Sequence, residues 1–208
     1  LSKYLRPFVA GAELVRGTKR WCLWLTDLDP NDISKSAELK KRLDLVRGMR
    51  RAAKQTATKR AEAFPHLFVQ IRQPQTDYLC IPIVVSTNRR FYTVDYLPKE
   101  VICSNRVYAV EDKDGFLFAL ASSSMFIGWQ RSIGGQLKSD LSFSGTLTWN
   151  TFPVPELDEK TRQRIIKAGQ RVLDARALHP ERSLAEHYNP LAMAPELLKA
   201  HDGLDREV

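Results

Sequence analysis

An apolar segment at residues 116–133 constrains the fold of this 208-residue chain more than any other feature. Large apolar side chains, among them Phe116, Phe118, Met125 and Trp129, recur on nearly every side of the helix that this segment predicts. A helix that is apolar all round has to be covered by other elements, because apolar surface is unfavourable in water. The rest of the chain must therefore supply a sheet, which predicts the α+β class.

Strand-like segments lie on both sides of that helix. Each is short, rich in β-branched and aromatic residues, and bounded by turn-forming residues, which is typical of strands joined by turns. We predict a mixed or antiparallel sheet that packs with the buried helix and with a long basic helix, followed by a small C-terminal helical region. The predicted strands are residues 20–25, 67–72, 78–86, 90–96, 107–110, 136–143 and 145–150.

The long basic helix is predicted at residues 34–63, where apolar residues recur at helical spacing. Its other faces are dominated by Lys and Arg, and the whole chain has a formal net charge of +8. A chain this basic attracts polyanions, foremost nucleic acid and then an anionic membrane surface. Arg47, Arg51 and Lys54 share a face of the predicted helix and are candidate phosphate-binding residues. A solvated helix face is the alternative interpretation.

Opposite charges two residues apart mark the predicted strand that follows the buried helix. Side chains at every second position share a face of a strand, so Lys138, Asp140 and Ser142 would project together. Leu137 and Leu141 would then point toward the core. The ammonium donors and carboxylate acceptors complement the acceptors of guanine and the amine donor of cytosine in a G·C pair. The alternative is an intrastrand salt bridge on a wet surface, which contributes at most about 1 kcal/mol.

Catalytic and metal-binding patterns are scarce. The four histidines lack ligand spacing, and the chain contains no glycine-rich phosphate loop. Asp95, Glu111 and Lys113 resemble the acidic end of a metal-dependent nuclease site, but such triplets often arise by chance, and a turn with a helix cap is the simpler interpretation. The three cysteines indicate free thiols in a reducing compartment. With neither a signal peptide nor an apolar run of about 18 residues, the chain is predicted to be cytoplasmic, with no membrane partner.

Several short motifs occur in an order that resembles one family. The motifs are Arg6-Pro7-Phe8, Lys19-Arg20-Trp21-Cys22-Leu23-Trp24-Leu25, Ile71-Arg72-Gln73-Pro74, Tyr78-Leu79-Cys80-Ile81-Pro82, Ser122-Ser123-Ser124-Met125 with Trp129, Leu137-Lys138-Ser139-Asp140 and Asn150-Thr151-Phe152-Pro153-Val154-Pro155. Their combination resembles the C-terminal part of MmeI-like, type IIL restriction-modification enzymes, and it covers essentially the whole chain. The resemblance implies a DNA target recognition domain at residues 1–155 and a C-terminal helical region at residues 156–208.

In this family one polypeptide joins a nuclease domain, an adenine-specific DNA methyltransferase domain that uses S-adenosylmethionine, a target recognition domain and a helical C-terminal region. The resemblance implies that the catalytic motifs precede this segment, so the chain from Leu1 to Val208 is expected to be a non-catalytic fragment without a cofactor or metal. S-adenosylmethionine and Mg²⁺ are expected in the parent enzyme. The expected partners are double-stranded DNA and the methyltransferase domain of the same polypeptide.

The resemblance also implies which residues read bases. In the family the strand after the buried helix enters the major groove with alternating charged residues, and Lys138, Asp140 and Ser142 fall on that pattern. The weaker candidates for the remaining bases lie in two turns and are Asn88, Arg89, Arg90, Asn105 and Arg106.

Two functions of other classes remain open at this point. A stand-alone nuclease would use Asp95, Glu111 and Lys113, and metal-dependent cleavage that is lost on Lys113→Ala would favour it. A protein-interaction module would use its charge only for solubility, and weak DNA binding independent of sequence would favour that function.

Overall fold

The computed structural model of the chain describes residues 1–208 and divides them into two compact units. The first comprises Leu1–Pro7 and Trp21–Gln73, and the second comprises Phe8–Arg20 and Pro74–Val208. Helices combined with short, mostly antiparallel sheets confirm the predicted α+β class. Residues on both sides of the predicted domain boundary at 155/156 belong to the second unit. The division into compact units therefore does not test this boundary, which stays a prediction. None of the helices combines the length and the apolar character that crossing a bilayer requires.

The first unit has a small core around its longest helix. Leu39 and Leu43 of that helix pack with Tyr4 and Leu25. The beginning of β1 pairs antiparallel with β2. The elements of this unit are a 3-10 turn at Ser2–Tyr4, the first part of β1 (Leu5–Val9), β2 (Trp21–Leu23), α2 (Pro30–Lys35), α3 (Ala37–Arg51), α4 (Thr56–Arg60) and a 3-10 turn at Ala61–Ala63.

The prediction of one helix at residues 34–63 is wrong in its extent, because α3 ends at Arg51. The buried guanidinium of Arg50 donates hydrogen bonds of 2.6–2.8 Å to the main-chain carbonyls of Ala61, Phe64 and Leu67. These bonds hold the following segment back against the end of α3. The charge of Arg50 thus stabilises the fold and is not available to a ligand. Its three carbonyl acceptors replace the water that burial removes.

The second unit contains two antiparallel three-stranded sheets, in the strand orders β5-β3-β7 and β4-β9-β8. The central strand of the first sheet is buried along its whole length. In this unit Phe8, near the end of β1, pairs in parallel with Ile102 of β6. The elements up to the second sheet are α1 (Gly11–Arg16), β3 (Tyr78–Pro82), β4 (Val84–Val85), β5 (Asp95–Leu97), β6 (Ile102–Cys103), β7 (Val107–Val110), β8 (Gly135–Leu137) and β9 (Asp140–Ser142).

The strand predictions have mixed outcomes. The strand at residues 107–110 is confirmed as β7, and residues 78–86 hold β3 and β4. Residues 67–72 form no strand. Residues 90–96 keep only the start of β5, and residues 145–150 form a π-helical turn at Gly145–Trp149.

The buried apolar segment forms two helices, α5 (Phe116–Ser122) and α6 (Ser124–Ile133). Ser123 interrupts the helix with an extended backbone, and its hydroxyl accepts the Phe126 N–H at 3.2 Å as an N-cap. Asp112 caps α5, because its carboxylate accepts the main-chain N–H of Phe118 at 2.8 Å. Three serines in succession thus divide a segment whose apolar pattern alone predicts continuity.

The C-terminal helices belong to the same core as the sheets. They are α7 (Glu159–Ala177), α8 (Leu184–His187) and α9 (Pro195–Asp205). Helix α7 packs against both α5 and α9. At Gly169 of α7, an added Cβ would lie 2.7 Å from the Cβ of Ala119 on α5, so only glycine permits this close approach.

A buried polar network connects these helices with the main chain at β5. Arg176 donates from Nη1 to the Val94 carbonyl and from Nε to the Tyr188 hydroxyl, each at 2.9 Å, and its Nη1 lies 3.5 Å from the Asp95 carboxylate. The Tyr188 hydroxyl lies 2.9 Å from Nε2 of His201. Because Arg176 uses the phenol oxygen as an acceptor, the phenol proton is donated to His201, whose Nε2 is therefore unprotonated.

Acid is expected to destabilise the chain through His201. Burial, together with the positive charge of Arg176, lowers the pKa of His201 from 6.5 to about 3. As the pH falls below the unfolded value, the unfolded state binds a proton that the folded state excludes, so the free energy of unfolding decreases by about 1.4 kcal/mol per pH unit. Denaturant titrations at about pH 7 and about pH 5 would measure a loss that is about 2 kcal/mol smaller in His201→Gln than in the wild type. Equal losses in the two proteins would contradict this origin.

Candidate nucleic-acid interface

The hairpin formed by β8 and β9 carries three of the candidate base-reading residues. The prediction of one strand at residues 136–143 is wrong, because the chain turns back at Lys138 and Ser139 and places Leu137 opposite Asp140. Lys138 therefore lies in a two-residue loop and does not share a strand face with Asp140. Its φ of 58° makes it the only non-glycine residue of the chain with a positive φ, as the first position of such a loop requires.

The hairpin also changes which side chains share a face. Cross-strand partners project on the same side of a sheet, so Leu137 lies on the face of Asp140 and Ser142. Leu141 points the other way and is 1% exposed, as predicted, whereas Leu137 is 52% exposed and does not reach the core. Sequence reasoning missed Leu137 as a surface residue of this site, because the one-strand prediction gives it the orientation of Leu141.

The side chains of Lys138 and Asp140 in this hairpin are free of intramolecular partners. Lys138 is exposed and Asp140 is half-buried, and neither side chain forms an ion pair or a hydrogen bond within the chain. The alternative interpretation of an intrastrand salt bridge is therefore wrong. The donors of Lys138 and the acceptors of Asp140 remain available to a ligand.

A turn at residues 86–89 lies at the same end of this sheet as the hairpin loop. Val85 of β4 pairs with Leu141 of β9, so the chain leaves β4 beside the start of β9. The Arg89 N–H closes the turn on the Ser86 carbonyl at 3.0 Å, and the side chain of Asn88 is exposed at its tip. The structure thus brings Asn88 to the side of the sheet that carries the hairpin loop.

Arg89 and Arg90, the other candidates in this region, already have partners. The half-buried Arg89 donates to the Ala185 carbonyl at 3.0 Å. The Arg90 guanidinium lies 3.5 Å from the Asp202 carboxylate and stacks over the Phe91 ring at 5.4 Å. The two charged side chains are 59% and 52% exposed, so the ion pair is weak and can exchange for another anion.

Asn105 and Arg106 lie at the opposite end of β9, in an exposed turn before β7. The Arg106 carbonyl accepts the Ile83 N–H at 3.1 Å, and the Ile83 carbonyl accepts the Phe143 N–H at 2.7 Å. This turn therefore lies near the Ser142 end of the strand. The predicted base-reading residues lie in or beside one small sheet, but they fall into a group at each end of it.

The predicted phosphate-binding residues differ from one another in their ion pairs and in their position relative to α3. Arg47 pairs with Asp44 at 2.8 Å, and Arg51 pairs with Glu62 at 2.7 Å. Lys54 follows the end of α3, so the three residues do not share a helical face. Lys54 alone among them is exposed without an ionic partner.

The nuclease-like triplet is not assembled into a site. Asp95 lies in β5 and Glu111 directly follows β7, and these two strands flank β3, which separates them by about 10 Å. Asp95 is also close to Arg176, as described above. The chain contains no cluster of three His, Cys, Asp or Glu side chains arranged to hold a metal ion.

A basic α+β chain that exposes a charged two-stranded hairpin between polar turns has the form of a DNA target recognition module. The chain belongs to the MmeI family: the MmeI target recognition domain matches residues 1–156, and the MmeI C-terminal domain matches residues 157–208.

Two relatives are similar to nearly the whole chain. One is the type IIL restriction-modification enzyme MmeI, solved in complex with DNA, with 39% identity, a TM-score of 0.96, and coverage of 99% of this chain and 28% of that chain. The other is DNA methyltransferase A of Bacillus subtilis (strain 168), which is 30% identical over 205 residues, covering 99% of this chain and 23% of the relative. The chain thus spans about a quarter of the length of each relative.

Proposed function

We propose that this chain recognises a specific sequence of double-stranded DNA on behalf of a bacterial restriction-modification enzyme. The observation that carries the proposal is the β8–β9 hairpin, at whose tip the side chains of exposed Lys138 and half-buried Asp140 have no intramolecular partner. The likeness to MmeI, a protein solved in complex with DNA, supports the same function.

The hairpin has the chemistry and the dimensions for the major groove. A two-stranded β-ribbon fits this groove, in which Lys138 donates to the O6 and N7 of a guanine while Asp140 accepts from the N4 amine of the paired cytosine. Ser142 lies two residues further along β9, or about 6.6 Å, which corresponds to about two base-pair steps. Ser142 and the nearby turn with Arg106 would therefore read a different base pair from Lys138.

Selection of bound sequences from random duplexes, performed with the 208-residue chain, tests this function. We expect a sequence logo with at least one strongly preferred G·C pair. Binding without any base preference would instead favour a protein-interaction module whose charge only aids solubility. Cleavage of the duplexes in the presence of a divalent metal would favour the stand-alone nuclease.

Removal of a phosphate-binding residue is expected to weaken binding to all sequences alike. Lys54→Ala should reduce the slope of log affinity against log salt concentration by about 0.9, because one counterion fewer is released. Arg47→Ala and Arg51→Ala should lose less affinity than Lys54→Ala, since each arginine must first give up its carboxylate. Salt titrations of the three variants against a random duplex measure this, with the exposed Lys160 replaced by alanine as a control. A slope unchanged in all three would show that these side chains are merely solvated.

We further propose that the parent enzyme is an adenine-specific DNA methyltransferase with endonuclease activity, located in the cytoplasm. S-adenosylmethionine and Mg²⁺ would be held by the methyltransferase and nuclease domains of the same polypeptide. After recognition, the methyltransferase domain would flip an adenine of the site into its own pocket. The name of the Bacillus subtilis relative supports the methyltransferase assignment.

A further inference from the structure

The turn at residues 86–89 is held in place by one side chain of α6. Arg131 donates from Nη2 to the main-chain carbonyls of Arg89 at 2.6 Å and Thr87 at 3.2 Å. Both acceptors flank Asn88, the residue whose side chain the turn exposes. The orientation of Asn88 therefore depends on a guanidinium that touches the main chain on either side of it.

The preceding residue of α6 holds the hairpin in the same way. Gln130 is fully buried, and its Nε2 donates to the Ser142 carbonyl at 3.0 Å. Consecutive residues of one helix thus contact two of the segments that carry candidate base-reading side chains, the hairpin and the turn at residues 86–89. Helix α6 fixes the position of the turn relative to the hairpin.

The C-terminal region holds the turn from a second direction. Arg89 is half-buried, has no carboxylate partner, and donates to the Ala185 carbonyl of α8 at 3.0 Å. Burial lowers the pKa of this guanidinium. In addition, the Ser124 N–H at the start of α6 donates to Asp205 of α9 at 2.7 Å. The region matched by the MmeI C-terminal domain therefore contacts both the turn and the helix that supports it.

We propose that Arg131 and Arg89 are positioning residues for base recognition, and that through Arg89 the C-terminal region takes part in DNA specificity. The inference rests on the proposed function, since it assigns Asn88 to a base pair. Neither arginine needs to touch DNA. Their role is to fix the position of Asn88 relative to the hairpin, because a displacement of about 1 Å is enough to lose a directional hydrogen bond to a base.

The test compares Arg131→Met and Arg89→Met with Arg171→Met in the 208-residue chain. Arg171 is exposed on α7 and has no partner, so its variant removes the same charge without touching the turn. Selection from random duplexes should show a preference reduced roughly tenfold at one base pair in both turn variants, as expected for loss of one base contact. The pair read by Lys138 should keep its preference, and Arg171→Met should reproduce the wild-type logo.

Two further readouts separate positioning from other roles. The salt slope should stay at the wild-type value in both turn variants, whereas a phosphate contact would lower it by about 0.9. Hydrogen exchange of the Arg89 amide, which closes the turn, should accelerate about tenfold in Arg131→Met while core amides are unchanged. An unchanged logo, or a lowered slope with uniform weakening, would overturn the positioning role.

The outcome also distinguishes this inference from the proposed function. If the wild type shows a logo that Lys138→Ala alters and the turn variants leave intact, DNA recognition stands and the positioning role falls. If the wild type shows no base preference at all, both fall together.

Discussion

Lys138→Ala is expected to lose about 1 to 3 kcal/mol of binding free energy for the preferred sequence, and much less for others. In the proposed function the lysine donates to the acceptor edge of one guanine, and the variant would lose this contact together with the discrimination that it provides. The preference for G·C should therefore relax at a single position of the logo. Selection from random duplexes followed by titration of the best site and its single-base variants measures both effects.

Lys113→Ala provides the matched control for this experiment. Lys113 is exposed in the same compact unit and has no ionic partner, so its replacement removes an equal charge from another part of the surface. It is expected to leave the logo unchanged. Asp140→Ala should relax the same base pair as Lys138→Ala, and the double variant should lose less than the sum of the two single losses, because both residues are proposed to contact one pair. A logo that Lys138→Ala does not alter would remove the hairpin loop from base reading.

Arg176→Met is expected to lower the free energy of unfolding by about 3 kcal/mol. The methionine fills most of the volume, but the Val94 carbonyl and the Tyr188 hydroxyl lose their donor in a region where water does not replace it. Arg176 is 6% exposed, so the desolvation cost falls almost fully on these groups. Denaturant-induced unfolding, monitored by tryptophan fluorescence, measures the difference.

Two other substitutions in α7 serve as controls for this loss of stability. Arg171 lies on the exposed side of α7, so Arg171→Met is expected to change the free energy of unfolding by less than about 0.5 kcal/mol. Arg176→Lys keeps the charge but lacks the planar fork that contacts two acceptors at once, so an intermediate loss is expected. Equal stability of Arg176→Met and the wild type would show that the network contributes nothing beyond its packing.

The elements that the sequence predicts correctly are those in which a single pattern extends without interruption. The strand predicted at residues 107–110 is β7, and the predicted C-terminal helical region contains the long α7 at Glu159–Ala177; in both elements the apolar period is unbroken. The errors arise where a local polar contact overrides the pattern. Ser123 divides the apolar helix by capping its second half, and buried Arg50 ends the basic helix by binding the carbonyls of the segment that follows.

The role of the candidate site residues stays a prediction, and their geometry differs from the one that the sequence predicts. Lys138 and Ser139 lack the Asn-Gly or Asp-Gly signal of a two-residue hairpin loop. Because nothing in the sequence marks the turn, the alternation of polar and apolar residues predicts one continuous strand. Leu141 is nevertheless assigned correctly to the core, because alternation holds within β9. The support given by Arg131 and Gln130 was not predictable, since their partners are main-chain carbonyls that leave no trace in the sequence.

In the proposed base-reading role, the left-handed backbone of Lys138 limits which residues can replace it. Unbranched side chains tolerate such a conformation at a cost of about 1 to 2 kcal/mol, but β-branched ones are excluded. Glutamate, glutamine, arginine or asparagine can therefore replace the lysine and exchange its hydrogen-bonding character, while threonine, valine and isoleucine cannot follow. The φ angle at this loop position thus restricts which side chains the hairpin tip can carry, and with them which hydrogen bonds to a base it could form.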